Sequence, residues 1–589
     1  MNLQTDANRA AGQDEQTESA HVLMWDGRLD NRSDLLLLLR DSFCNDSSNA
    51  GLALAAYKRW GTRGFIHLIG DWSVVIHDDA NRSTVLASDF AGVRPLYYTV
   101  QSGCVLWSSF VQPLVDASGI SELDEQYVGA FLLFGGCPNR TPYRGIYSVP
   151  PGHAVCVSST GTKISRFWTL PIGDEVRYRN HHRYEEHLRA LFRDAVSVRL
   201  QTEAPVLAEL SGGLDSSSVV SMANHLMRRY TVPARSLTSV SYVWRNSLDE
   251  PFIREMEEFC CIKGFHISTH DVPLVSEKHV GDAQPEILQP LRASVGLLAR
   301  QLGAKVLLTG QNGDLMMGNW FDDSLQLAAS LRRFRVIRTC KEALDWSKIL
   351  RLPIYRVLWQ ALCASLPPAL APATLYTNED GSYMVKSEET SLSKGLLNRF
   401  GLSEVGNIFS DLWMQAPPER RKHFRSLLTT LELRTLQAPE LWQHLDYTHP
   451  FAHRPLVEFL MTVPVEILCG PGEPRRLMRS TLSDLWPVRL RMRRSKGLFN
   501  LPWQEALRPL ARLLMKAEKV QVVERGFVER ASLHSRLQRL SAGLDCNQDQ
   551  MRYVILLELW LRSRTDSRTL VKCYKPSEQA KFVDQKERR

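Results

Sequence analysis

Short apolar runs alternate with turn-forming residues over the first third of the chain. One helix is predicted at NAGLALAAYKRW (49–60), and strands are predicted at HVLMWDG (21–27), DWSVVIHD (71–78), TVLASDF (84–90) and CVLWSSF (104–110). The segment 141–168 contains PPGH and SSTGT, whose residues favour turns, so it predicts a closing hairpin. These patterns predict a domain of short strands and few helices over residues 21–172, after a polar leader at 1–20.

The pattern changes to strands separated by helices from about residue 180. Strands are predicted at VLAEL (206–210), ARSLTSVSY (234–242) and AKVLLTG (304–310), with helical periodicity between them. This alternation is typical of an α/β fold with a parallel sheet covered on both faces. Beyond 340 the pattern is almost wholly helical, which completes a second domain over 180–570. The polar end, 571–589, is predicted to be disordered.

Composition places few limits on this picture. The 589 residues include 72 basic and 64 acidic side chains, a net charge of +8, which suits an anionic ligand such as a nucleotide and does not indicate nucleic acid. The eleven cysteines form no CxxC pair, as expected of a reduced intracellular protein. Neither a secretory signal nor an apolar run of about eighteen residues occurs, so we expect no membrane insertion and a cytoplasmic location.

The stretch VLAELSGGLDSSSVVSMA (206–223) carries the clearest chemistry. A strand runs into small residues and then into a helix, whose first N–H groups and partial positive charge attract anions. Glycines let the backbone approach a phosphate, and hydroxyls add donors. Asp215 would repel phosphates unless a cation lay between them, so it predicts a bridging Mg²⁺. A Walker A loop is excluded because no lysine starts the helix. The alternative for such a loop is a plain strand-to-helix turn with a capped helix.

Several motifs in one order resemble the asparagine synthetase superfamily. SGGLDSS resembles the pyrophosphate loop of ATP pyrophosphatases. WDGRLDNRSDL (25–35), LASDFAGVRPLYY (86–98) and VPPGH (149–153) resemble that superfamily's glutaminase-like domain. The later motifs are LTGQNGDLMMGN (308–319), HPFAHRPLVEF (449–459) and RRSKGLF (493–499). The resemblance implies an α+β glutaminase-like (Ntn-hydrolase-like) sandwich, followed by a parallel-sheet ATP-pyrophosphatase domain with a helix-rich C-terminal part.

The resemblance also implies a site for ATP and Mg²⁺. The residues that would bind ATP are Leu210, Ser211, Gly212, Gly213, Asp215, Ser216, Ser217, Val240, Gly310 and Asp314. Asp215 and Asp314 would hold the metal, and Lys496 would stabilise the departing pyrophosphate. Asp314 alone could be a turn residue, but ligands bind at the carboxyl ends of parallel strands. The arginines around Lys496 are more typical of a solvated face.

The chain departs from glutamine-dependent relatives at its start. Those relatives begin Met-Cys and use the cysteine as nucleophile, whereas residue 2 is Asn here and the resemblance starts at HVLMWDG. We therefore expect no glutamine hydrolysis and an amine supplied by the acceptor molecule. The base that deprotonates this amine is not identified by the sequence. His449 is a candidate by position, and a hydrogen-bonded core histidine is the alternative.

GDLMMGN together with DGRLDN most resembles the lasso peptide cyclases. These activate an Asp or Glu side chain of a precursor peptide and close it on the peptide's own N-terminal amine, giving a macrolactam. Leu315 stands where asparagine synthetases have an acidic residue, and Gln311 stands where β-lactam synthetases have a tyrosine. The resemblance implies a precursor peptide as substrate, with a leader-binding protein and a leader peptidase as partners. The alternatives are another amide-forming ligase of the superfamily and a silent ATP-binding scaffold.

Overall fold

The computed structural model describes residues 14–18, 21–40, 47–173, 175–230, 232–276, 284–285, 288–318, 324–366, 391–401, 412–493, 500–544 and 547–565. None of the helices within these ranges has the length and apolar character needed to cross a membrane. The predicted disordered end at 571–589 and Lys496 both lie outside the described residues.

The first part of the chain folds into two antiparallel sheets with helices on their outer faces. Its strands are β1 Asp14–Glu18, β2 His21–Gly27, β3 Trp72–Asp78, β4 Ser83–Ser88, β5 Tyr97–Gln101, β6 Cys104–Ser108, β7 Tyr147–Ser148, β8 His153–Ser158 and β9 Gly161–Arg166. One sheet has the order β1-β2-β3-β4-β8-β9, and the other has the order β6-β5-β7. The helices are α1 Arg32–Leu39, α2 Asn49–Trp60, α3 Val111–Ser118 and α4 Glu125–Phe134.

Alternating side chains of each strand fill the spaces between these layers. Trp25 and Trp72 of the larger sheet stack at 5.6 Å between ring centroids, under α1 and α2. Val75 and Leu86 point the other way and meet Tyr98 of the smaller sheet. The four layers, helix–sheet–sheet–helix, confirm the predicted α+β glutaminase-like sandwich.

The polar leader predicted at residues 1–20 includes a strand, so the prediction is wrong for residues 14–18. Asp14–Glu18 form an edge strand that pairs antiparallel with β2 over five residues. The sequence DEQTE has no apolar position to reveal a strand, because an edge strand needs only backbone hydrogen bonds on one side. The predicted strands at 21–27 and 71–78 and the predicted helix at 49–60 are confirmed.

The second part of the chain is built on a five-stranded parallel sheet in the order β12-β11-β10-β13-β14. The strands are β10 Val206–Glu209, β11 Leu237–Val243, β12 Lys263–Ser268, β13 Val306–Leu308 and β14 Asp446–Thr448. The sequence predicted three of them and missed both edge strands, β12 and β14. The parallel sheet itself is confirmed, and its carboxyl edge carries the predicted site.

Helices cover this sheet and form the rest of the domain. The first eight are α5 His181–Ser197, α6 Leu214–Arg229, α7 Glu250–Cys260, α8 Gln289–Leu302, α9 Gly313–Met316, α10 Gln326–Arg332, α11 Val336–Leu350 and α12 Ile354–Ser365. The later helices are Lys394–Phe400, Pro418–Glu432, Arg454–Thr462, Val465–Leu468, Arg476–Leu482, Val488–Met492, Asn500–Lys516, Gln521–Glu524, Arg530–Ser541 and Gln548–Thr565.

A buried charge network joins the sandwich to the parallel sheet. Arg28 donates to Asp30 at 2.6 Å and Asp71 at 2.8 Å within the sandwich, and reaches Asp446 of β14 at 3.2 Å. Arg199, after α5, lies 3.4 Å from Asp71. Burial opposes the charge on Asp71, but Arg28 and Arg199 hold the pKa of this carboxyl well below its usual range. The network fixes β14, and thus one edge of the site, against the sandwich.

Candidate ATP and magnesium site

The SGGLDSS loop follows β10 and opens α6. Gly212 has a φ of +71°, and a Cβ there would lie 2.8 Å from the carbonyl oxygen of Asp249, so only glycine is accommodated. Ser216 Oγ lies 3.1 Å from both the backbone nitrogen and the hydroxyl of Ser211. The loop therefore wraps tightly over the amino end of a sixteen-residue helix, where backbone N–H groups attract anions.

Two hydroxyls at the carboxyl edge of the sheet are buried without a hydrogen-bond partner. Ser217, in the first turn of α6, is 0% exposed, and Ser241, near the end of β11, is 1% exposed. A buried hydroxyl that lacks a partner costs free energy, on the order of 1–3 kcal/mol. Each hydroxyl therefore retains the capacity to hydrogen bond a polar group at this edge of the sheet.

Leu210 and Val240 contribute through their backbones. The Leu210 N–H donates to the Val240 carbonyl at 2.9 Å, and both side chains are buried in the core. This bond extends the pairing of β10 with β11 to the residue that precedes Ser211. Ser239 is committed elsewhere, since its hydroxyl donates to Glu257 at 2.8 Å.

The second motif, LTGQNGDLMM, lies directly on the first. A Cβ at Gly310 would come within 2.5 Å of the Ser216 backbone nitrogen, and one at Gly313 would come within 2.7 Å of the Asp215 Cβ. Glycine at both positions permits this approach. Asp314, which follows Gly313, is exposed, and its Oδ1 accepts from the Leu315 N–H at 3.0 Å. The structure thus brings the two predicted metal ligands to neighbouring positions.

These two aspartates suit magnesium better than a transition metal. Within the described ranges no group of three or more His, Cys, Asp or Glu side chains could hold a metal ion. Mg²⁺ is commonly bound through one or two carboxylates, with phosphate oxygens and water completing the octahedron. Asp215 and Asp314 would supply those carboxylates, and the metal would neutralise charge on the phosphates.

The sequence missed two arginines that contact the loop. Arg475 is 5% exposed and lies 2.7 Å from Asp215 Oδ1. Arg493 donates to the Gly212 carbonyl at 2.8 Å and to Asp249, while its guanidinium stacks 4.0 Å from the Phe252 ring. The prediction of a solvated face is therefore wrong for these two arginines. Their signal in the sequence was the run of basic residues at 475–494, which does not reveal which members turn inward.

His449 is a core residue, as the alternative interpretation held. Its ring is 0% exposed, with Nδ1 2.7 Å from the Thr309 hydroxyl and Nε2 2.8 Å from the Leu436 carbonyl. Burial lowers the pKa of this imidazole to about 4. Both ring nitrogens are hydrogen-bonded and the ring is closed to a substrate. His449 therefore cannot be the base that deprotonates the amine.

Comparison with known proteins agrees with this geometry. The asparagine synthase family model matches residues 187–562, and the glutamine amidotransferase domain model matches residues 5–168. The second match begins before residue 21, in agreement with the extra strand β1. The chain is 25% identical over 510 residues to asparagine synthetase (glutamine-hydrolyzing) 3 of Bacillus subtilis (strain 168), covering 79% of this chain and 73% of that protein.

Two further similarities are more limited in extent. Amidase chry2 of Gibberella zeae is 25% identical over 307 residues, covering 46% of this chain and 43% of that protein. Among solved structures, a B. subtilis glutamine phosphoribosylpyrophosphate amidotransferase complexed with ADP and GMP covers 51% of this chain at 14% identity, with a TM-score of 0.20. The asparagine synthase match alone spans more than half of the chain, over the site described above. The chain belongs to the asparagine synthase family.

Proposed function

We propose that the chain is an ATP-dependent macrolactam synthetase of lasso peptide biosynthesis. It activates an Asp or Glu side chain of a precursor peptide as an acyl-adenylate, and the peptide's own N-terminal amine closes the ring. The observation that carries the ATP-dependent part is the SGGLDSS loop at the amino end of α6, together with the buried, unpartnered hydroxyls of Ser217 in that helix and of Ser241 on β11. The motifs GDLMMGN and DGRLDN, which resemble lasso peptide cyclases, support the peptide substrate.

The chemistry has two balanced steps. A carboxylate oxygen attacks the α-phosphorus of ATP, forming a C–O–P linkage and releasing pyrophosphate. The amine nitrogen then attacks the carbonyl carbon, an amide forms, and AMP leaves with the carboxylate oxygen. The loop hydroxyls and the α6 N–H groups bind the pyrophosphate end, while Asp215 and Asp314 hold Mg²⁺. Lys496, carried over from the family motif, stabilises the leaving group.

The amine comes from the acceptor and not from glutamine. The described cysteines of the sandwich, Cys104, Cys137 and Cys156, all lie inside the domain, so none can act as an amino-terminal nucleophile. Cys137 is buried, and burial raises the pKa of its thiol to about 12, so the thiol stays protonated at neutral pH. In this proposal the sandwich is structural and anchors β14 through Arg28.

The protein's partners follow from this proposal. A leader-binding protein and a leader peptidase would deliver the core peptide with a free N-terminal amine, in the cytoplasm. Neither nucleic acid nor membrane insertion has a part in it.

Mass spectrometry tests the proposal. The precursor peptide encoded nearest this gene would be incubated with ATP, Mg²⁺, the chain and the leader-removing partners. A core peptide lighter by one water, with AMP and pyrophosphate formed, is the expected result. AMP formation without that loss would move the assignment to a different acceptor, as in a small-molecule ligase. No ATP turnover would favour a silent scaffold.

A further inference from the structure

Amide formation needs a base, since a protonated amine cannot attack a carbonyl. Gln311, exposed at the site, has no basic group, and His449 is fixed in the core. Four polar side chains lie at the carboxyl edge of the sheet, outside the predicted ATP site. This edge cluster consists of Glu209, Tyr242, Gln311 and Tyr447.

Two hydrogen bonds organise the edge cluster. Tyr242 Oη donates to Glu209 Oε1 at 3.1 Å, which joins β10 to β11. Gln311 Nε2 donates to Tyr447 Oη, which joins the loop after β13 to β14. The cluster therefore extends across four of the five strands.

The cluster lies on the sheet face opposite α6. Leu207 and Val240 pack in one core with Tyr447, whereas Ala208 packs in the other core with α6. Side chains alternate along a strand, so Glu209 and Tyr242 share the face of Leu207 and Val240. Glu209 is the last residue of β10, at the end from which the SGGLDSS loop leaves the sheet.

The surroundings keep the phenols neutral and leave the carboxyl able to titrate. Burial, followed by the charge of Glu209, raises the pKa of both Tyr242 and Tyr447. Burial also raises the pKa of Glu209, against the opposing effects of the Tyr242 hydrogen bond and of Arg292. The charged or titratable groups that act on Glu209 are Tyr242 and Tyr447 of the cluster and Arg292 of α8. Glu209 and Tyr242 each retain partial exposure.

We propose that Glu209 is the general base that accepts the proton of the attacking amine, with Tyr242 positioning its carboxylate. This inference rests on the proposed function. The N–H bond breaks toward Glu209 as the nitrogen lone pair forms the C–N bond, and AMP departs with the electrons of the C–O bond. A carboxylate with a raised pKa is a better match to this task at neutral pH than an ordinary one.

The competing interpretation is that the cluster only packs the sheet edge. Glu209→Gln separates the two, because it keeps the size and the Tyr242 contact but removes the base. Glu203→Gln is the matched control, since Glu203 is exposed in the loop that precedes β10. Tyr242→Phe removes the hydroxyl that donates to Glu209, and so tests whether Tyr242 positions this carboxylate.

The two half-reactions are measured separately with the leader-free peptide encoded nearest this gene. Adenylation is followed by ATP–pyrophosphate exchange and by capture of the activated carboxyl with hydroxylamine, an amine that is already unprotonated at neutral pH. Closure is followed by mass spectrometry. For Glu209→Gln we expect exchange and hydroxylamine capture within about threefold of wild type, and closure slowed by roughly 10²- to 10⁴-fold.

The pH profile gives a readout that a packing role would not move. Wild-type closure rises with pH as Glu209 ionises and again as the peptide amine loses its proton, at about 7.7–8.0. Glu209→Gln keeps only the rise that comes from the amine. Tyr242→Phe keeps a rise with a displaced midpoint. Closure by Glu209→Gln at the rate of Glu203→Gln would overturn the inference, as would equal loss of exchange and closure. No exchange by the wild-type chain would contradict the proposed function itself, and this inference with it.

Discussion

Arg475 lies 2.7 Å from Asp215, the carboxylate that is expected to bind magnesium. Both side chains are buried. Asp215 is the aspartate of the SGGLDSS loop, and its side chain lies against Gly313. A buried carboxylate needs a compensating positive charge, and Arg475 supplies it when no metal is bound. We expect binding of Mg²⁺ and ATP to change the partners of Asp215 and to make the arginine available to the phosphates.

Arg475→Met should lower the free energy of unfolding in metal-free buffer, because it removes a cation that lies 2.7 Å from the buried carboxylate of Asp215. Mg²⁺ should then raise the melting temperature of the variant more than that of the wild type. Thermal unfolding with and without Mg²⁺ measures both effects. Equal Mg²⁺ responses would contradict the link between Arg475 and the metal site.

Asp314→Asn should reduce ATP–pyrophosphate exchange by at least about 100-fold at fixed Mg²⁺, since it removes half of the protein's carboxylate ligands. Partial recovery at high Mg²⁺ is expected. Asp314 is exposed, so the fold should be unaffected. Asp194→Asn is the matched control on the exposed face of α5. Unchanged exchange by Asp314→Asn would remove this residue from the site.

Arg28→Met should destabilise the junction between sandwich and parallel sheet. It leaves Asp30 and Asp71 without their closest cation, at a cost of about 3–5 kcal/mol. Urea unfolding should change from one transition to two as the parts separate. Arg144→Met, whose side chain is 72% exposed, is the control and should unfold as the wild type does. A single unshifted transition for Arg28→Met would rule out a joining role.

Acid should destabilise the fold through its buried histidines. Burial lowers the pKa of His449 to about 4 and that of His423 to about 3, whereas an unfolded histidine titrates near 6.5. The unfolded state then binds more protons than the folded state below pH 6.5, so stability is present above that pH and is lost as pH falls toward 4. Each histidine contributes a slope of about 1.4 kcal/mol per pH unit.

Urea unfolding at several pH values between 7 and 4.5 measures this slope. His449→Gln retains an amide that can donate to the Leu436 carbonyl. This variant should reduce the slope of stability against pH by about 1.4 kcal/mol per pH unit, the contribution of one proton. A variant with the wild-type slope would show that His449 is already charged in the folded state.

The sequence revealed the elements with strong local signals. The apolar periodicity of NAGLALAAYKRW predicted both ends of helix α2 correctly. The SGGLDSS loop consists of residues that are typical of a turn and of a helix start. Strand β12 was missed because Lys263–Ser268 begins just after α7 ends, at Cys261 in the left-handed conformation. Strand β14 has three residues, too few for a period.

The site was predicted where residues act through the backbone or through short motifs. Arg475 and Arg493 were missed because their direction is set by tertiary contacts with Asp215, Gly212 and Phe252, which come from distant parts of the chain. The edge cluster was missed for the same reason. Glu209 reads as the last residue of a strand, and only the sheet order places it beside Tyr242.

For helix α12 the sequence predicted the position of the helix better than its burial. The apolar sequence VLWQALCASLPPALAPA (357–373) predicts a buried helix that ends in a proline-rich turn. The helix spans Ile354–Ser365, and Val357 and Ala361 are buried, but Trp359 is 61% exposed. Hydrophobicity located the helix and overestimated its burial. The turn lies outside the described residues.

The central claim is that a peptide carboxylate attacks the α-phosphorus of ATP at the SGGLDSS loop. The most direct test labels the side-chain carboxylates of the peptide with ¹⁸O and examines the nucleotide products by mass spectrometry. Attack at the α-phosphorus predicts one ¹⁸O in AMP, in step with loss of one water from the peptide, and none in pyrophosphate. Unlabelled AMP, or label in inorganic phosphate with ADP as product, would contradict the account.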